Sequence, residues 1–183
     1  MTFAVLLVAL AAGTVESGGS CNVSLRVEPP RVVVQAGRAP ELTAYLTNTG
    51  THSLTLVLPG DGSTSGWRTP TIEWILEDNG RVPGFPRCGN INTLQRGEVF
   101  TLAPGETRAL GPWIHLPGLW APGSTKVVMH YSNVPDLEWR GIPLGSHDRG
   151  EMHRVRRSDR CRIESSPIEI VVEAATPPRR ESP

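Results

Sequence analysis

From Asn22 onward, apolar and polar residues take turns along the chain, the pattern of strands that bury one face and wet the other. In NVSLRVE the shared apolar face is Val23, Leu25 and Val27, and in ELTAYLTNTG it is Leu42, Ala44 and Leu46. SLTLVL aligns Leu54, Leu56 and Leu58, and TIEWILE aligns Ile72, Trp74 and Leu76. Near the end, PIEIVVE sets Ile168, Ile170 and Val172 against Glu169 and Glu173. Further strands are expected in RVVVQAG, EVFTL, TRALGPWIHL and STKVVMHYS, about eight or nine altogether. The 17 prolines and 19 glycines punctuate these runs, and no window carries a helical period. The expected fold class is all-β: antiparallel strands in two packed sheets joined by Greek-key connections. Its core is expected to contain Leu42, Leu46, Leu54, Leu56, Ile72, Trp74, Val127, Met129, Ile168 and Ile170.

A chain of 183 residues suits one domain, here residues 21–174. Residues 1–20 read as an export signal, with an apolar run from Phe3 to Ala12 and ALA at Ala9 to Ala11 as a cleavage tripeptide. The run is shorter than the roughly 20 apolar residues that span a bilayer. Its n-region has no Lys or Arg, and a first buried strand is the alternative. Cys21, after SGGS, is placed like a lipoprotein acylation site, although Gly18 stands where such signals carry Leu. A membrane partner is expected only if Cys21 is acylated. The last residues, 175–183, lack large apolar side chains and read as a disordered tail. Formal charge is zero, so no global field points to nucleic acid or to a membrane surface.

Four pieces carry a resemblance: LTAYLTNTGTHSLTLVL, a strand ending in Asn-Thr-Gly with a returning hairpin; LAPGETRALGPW and APGSTKVVMHY, Pro-Gly turns entering strands; and SSPIEIVV, a closing strand. Together they resemble bacterial Ig-like β-sandwich domains of exported adhesion-type modules and of the intracellular proteinase inhibitor family. That resemblance implies an Ig-like antiparallel sandwich and a binding or structural module, and it carries over no inhibitory site. Two stretches exceed a minimal sandwich, Asp78 to Gly97 and Asn133 to Ser166, and long insertions of this kind are often functional.

Five tryptophans account for half of the aromatic residues. Trp74 alternates with core positions, and Trp113 is expected to cap the core at a strand end. Trp67, Trp120 and Trp139 fall in Gly/Pro-rich loops, where a ring either stacks on a sugar or peptide or plugs an open end of the sandwich. In the plug arrangement Arg68 braces the loop through backbone carbonyls or Asp61. Asp61 with Ser63 and Thr64 supplies too few oxygens for calcium. His147, Asp148, Glu151 and His153 could offer zinc ligands, but their spacing fits neither HExxH nor a finger. Neither Ser63 nor Ser65 fits GxSxG. Arg149 to Arg162 holds six arginines against Glu151 and Asp159 and reads as a solvated loop.

With export, cysteines tend to pair. Cys21 sits at the processing boundary as the odd one, leaving a Cys88–Cys161 bridge between the two insertions. That bridge would gather Asn90 and Asn92 beside His147 and Asp148. The expected function is a non-catalytic binding or structural module at the bacterial cell envelope, without cofactor, taking a protein or polysaccharide partner and no nucleic acid. The alternatives are a carbohydrate-binding module using Trp67, Trp120 and Trp139, and a metal-dependent enzyme using His147, Asp148 and His153.

Overall fold

The computed structural model describes residues 21–59, 71–77, 80, 82, 97–111, 114, 116, 121–135 and 149–174, with side chains of 71 and 149–152 left aside. Within them the chain is all-β apart from one short helix: β1 (Val23–Glu28), β2 (Arg31–Gln35), β3 (Thr43–Asn48), β4 (Leu54–Val57), β5 (Thr71–Leu76), β6 (Val99–Leu102), β7 (Thr107–Ala109), β8 (Gly123–Asn133), α1 (Arg149–Arg156), β9 (Cys161–Glu164) and β10 (Ile168–Glu173). Three sheets form, in orders β1-β3-β7, β2-β10-β8-β5 with β9 also on β8, and β4-β6. Nearly all pairs are antiparallel, as the alternation implies. The exception is β2, which runs parallel to β10 with Val33 beside Val171.

All three sheets turn apolar residues into one core. Leu25 and Leu46 come from the first, Trp74, Met129 and Ile170 from the second, Leu56 and Leu102 from the third. Of the expected core, Leu46, Leu56, Trp74, Val127, Met129, Ile168 and Ile170 are buried, while Leu42, Leu54 and Ile72 pack half-buried against them. Tyr131 is fully buried on β8 and donates its hydroxyl to the Val57 carbonyl at 2.8 Å, tying the largest sheet to the smallest. Burial pushes the Tyr131 phenol far above its ordinary pKa, with the Val57 hydrogen bond acting in the opposite direction. The group therefore stays neutral and acts as a donor.

Turn chemistry fixes the connections. Asn48, wholly buried, donates to the carbonyls of His52 and Leu102, both at 2.8 Å, and accepts from the Gly50 amide at 2.9 Å. A Cβ on Gly50 would come within 2.9 Å of the Asn22 Cβ, so the NTG turn requires glycine there. Between β6 and β7, Pro104 and Gly105 form a turn in which Gly105 takes φ 75°, and Glu106 accepts from the Ala103 amide at 2.8 Å.

Two expectations about the second insertion are corrected. The arginine-rich stretch is α1 and its exit rather than a solvated loop, and β9 follows it. The helix seats Val155 against Val57 and Val99, burying the second face of β4, which alternation alone leaves to solvent. Arg154 donates to the Val99 carbonyl at 2.9 Å, and the Asp159 carboxylate accepts from the Thr55 amide at 2.6 Å.

The disulfide is also corrected: Cys161 pairs with Cys21, across a Cα separation of 5.0 Å, and not with Cys88, which lies outside the described residues. The reason is sheet geometry. Cys161 opens β9 beside Asn133, and the Leu25–Ser165 bridge sets β9 alongside β1, bringing its start to the entrance of β1. The Cys21 sulfur that acylation would use is held in this disulfide. Among the described residues no helix is long and apolar enough to cross a membrane.

Four expected outcomes follow from this packing. Trp74→Ala should cost about 3–5 kcal/mol in urea unfolding, as deletion of a buried indole does. Tyr131→Phe strands the Val57 carbonyl and should cost about 1–3 kcal/mol in the same assay. Thiol titration under denaturing, non-reducing conditions should find one free thiol among the three cysteines, with Cys21 and Cys161 recovered in one crosslinked peptide pair. The bridge closes a separation of 140 residues. Its reduction should therefore cost about 5 kcal/mol on the chain-entropy model.

Candidate functional site

An open groove of about 810 Å³ runs where the β1–β2 junction faces the β2–β3 connection. That volume lies within the range of small-ligand and peptide sites. One lip is Glu28, Pro29 and Pro30, and the other runs from Ala39 to Thr43, including Pro40, Glu41 and Leu42. The β1–β3 register makes this meeting necessary, since it sets Glu28 against Thr43 and Arg26 against Tyr45. Prolines punctuate both lips, so the chain leaves the sheet without continuing its ladder.

Ile114 and Leu116, nearly inaccessible at 4% and 1% exposure, form the floor. Ile114 is held by its carbonyl, which accepts from the Trp74 indole N–H at 3.3 Å. The Tyr45 ring lines one wall, with the Arg26 guanidinium 4.9 Å from its centroid. Arg26 also pairs with Glu28, which fixes that carboxylate at the mouth, whereas Glu41 is exposed. The groove thus combines two carboxylates, an aromatic wall and an apolar floor. Those groups can receive a cation attached to an apolar body, and the described lining offers no Ser, Cys or His to act as nucleophile or base.

A smaller cleft of about 520 Å³ lies on the β5-β8-β9 side of the large sheet. Cross-strand register lines up Glu73, His130 and Glu164 in one row and Ser132 with Arg162 in the next. His130 Nε2 lies 3.3 Å from the Glu164 carboxylate. Tyr131 and Ile163 add apolar surface between these polar rows, and no group of three His, Cys, Asp or Glu among the described residues is arranged to hold a metal ion.

The site residues expected from sequence, Asp61, Trp67, Arg68, Asn90, Asn92, Trp120, Trp139, His147 and Asp148, all lie outside the described residues. His153 is described and sits exposed on α1. None of the groove residues is a loop tryptophan or histidine, the residue types that stand out in the sequence. A usable signal is nevertheless present: VEPPRV and RAPEL both place Glu and Pro together at strand ends. In comparisons with known proteins, the chain matches no family model, no curated protein and no solved structure.

Proposed function

We propose that this protein is a non-catalytic binding module of the cell envelope, built on an Ig-like sandwich, that takes an extended protein segment in the Glu28–Glu41 groove. The observation that carries this reading is the groove's make-up, two carboxylates at the mouth above an apolar floor. A Lys or Arg of the ligand meets Glu28 and Glu41, while its neighbouring apolar side chains cover Leu42, Ile114 and Tyr45. Prolines on both lips keep the walls stiff, which lowers the ordering cost of binding. The Ig-like assignment draws support from three-stranded and larger sheets sharing one core, with the APGET and NTG turns at strand ends. Export draws support from the Cys21–Cys161 bridge, since disulfides persist in oxidising compartments. No specific observation favours the carbohydrate or the metal-enzyme alternative.

Amide chemical-shift titration with a panel of short Arg/Lys-containing and acidic peptides tests the proposal. Basic peptides should perturb Glu28, Thr43 and Tyr45, and acidic ones should not. Glu41→Lys should weaken binding about tenfold or more, the worth of a charge-assisted contact, with unfolding unchanged. Perturbation confined to other surfaces, or equal binding by Glu41→Lys, would count against the groove.

A further inference from the structure

The open edge of β2 is a self-association surface: we propose that two copies of this chain pair antiparallel through β2, about a two-fold axis at Val33, joining their large sheets into one. This is independent of the groove and of what it binds. The first observation is the direction of the backbone groups. Pro30 accepts from the Glu169 amide at 2.9 Å, and the Ala36 amide donates to Glu173 at 2.9 Å. Because a strand residue directs its N–H and C=O to one side and the next residue to the other, the even-numbered positions of β2 serve β10. Arg31 and Val33 therefore present their amides and carbonyls outward and Gln35 its amide, and no other strand of the described residues pairs with β2. The Gln35 carbonyl accepts from the Arg38 amide at 3.0 Å, which confirms that it points away from β10.

The opposite end of the same sheet is managed differently. Along β5, the Val82 amide donates to Trp74 at 3.1 Å and the Leu76 amide donates to Gly80 at 2.6 Å, so a following segment covers that edge. On β2 the edge instead carries Val33, 49% exposed and the one large apolar side chain so exposed among the described residues. An open edge with an exposed apolar residue is the usual starting point for strand addition.

The occupant is a second copy because the edge complements itself. Three outward residues spaced two apart match the hydrogen-bonded pairs of an antiparallel ladder, with Val33 opposite its twin and Arg31 opposite the other copy's Gln35. Within each copy Arg31 Nε bonds Glu169 at 2.9 Å, and Gln35 donates to Glu173 at 2.9 Å. Pairing would then produce a row Glu169, Arg31, Gln35, Glu173 crossing the interface, with each arginine between its own Glu169 and the other copy's Gln35. The central row would be Val171, Val33, Val33, Val171. No like charges stand directly opposite, the arrangement that cross-strand pairing rewards.

Sedimentation velocity of the full chain across a concentration series, up to about 1 mM for an interface this short, tests the proposal. The expected result is a shift from the mass of one chain to twice that mass. Val33→Pro removes an outward donor that the β10 ladder does not use, and proline is tolerated on such edges, so it should give a folded monomer. Gln35→Arg pairs with Glu173 inside its own copy but faces Arg31 of the other. It should dimerise at least tenfold more weakly at low salt and recover as salt screens the repulsion. Wild-type protein that stays monomeric throughout overturns the proposal, as does an unchanged dimer in both variants. So does slow hydrogen exchange at the Val33 amide in the monomer, which would mean that the chain covers its own edge.

Discussion

The inward face of β8 holds the molecule together. Val127, Met129, Tyr131 and Asn133 are all buried on it, and each points to a different neighbour in turn along the strand. At one end Val127 stands in register with Ile168 of β10, and further along Met129 lies opposite Trp74 of β5. Tyr131 then reaches the two-stranded sheet through Val57, and Asn133 donates to Ser158 and to the Asp159 carbonyl beyond the helix, at 2.9 Å each. The same strand pairs with β5, β9 and β10 through its backbone. A single 11-residue strand thus sets the separation of the sheets, the seat of α1 and the placement of Cys161.

This arrangement leaves chemistry at the periphery. Most buried polar groups near the centre are tied to backbone: Asn48 to the turn after β3, Ser158 to Val155 at 2.7 Å, Ser165 to the Met129 amide at 3.0 Å; the exception among the described residues is Asn133, whose Oδ1 is buried without a hydrogen-bond partner. Such groups specify which strands meet and are not placed to meet a ligand. Among the described residues, the concave surfaces are the groove between the β1–β2 junction and the β2–β3 connection and the smaller cleft on β5, β8 and β9.

The alternation foretold the strand positions and most of the core because a half-buried strand writes its inner face directly into the sequence. It could not foretell that β4 is covered on both sides, since Val57 acquires its cover from Val155, about 100 residues later in a segment too polar to show a helical stripe. Nor does a pattern of Val-Val-Val separate a parallel neighbour from an antiparallel one, and β2 took the parallel option. The partner of Cys161 is hidden in the sequence for a related reason: loop membership points to Cys88, whereas pairing is decided by which strands lie side by side. The candidate groove uses none of the loop tryptophans or histidines that stand out in the sequence. The groove is built from Glu, Pro and Leu, which look ordinary until the β1–β3 register brings the two strand ends together.

The order in which the cysteines occur also matters to how the bridge can form. A chain made from its N-terminus presents Cys21 first, Cys88 next and Cys161 last. Oxidation that acts before β9 has emerged can only join Cys21 to Cys88. The native pair can be reached from there if the Cys161 thiolate attacks the Cys21 sulfur, displacing Cys88 as a thiolate that takes up a proton. Where a Cys21–Cys88 bridge forms first, exchange of this kind makes Cys88 the leaving group.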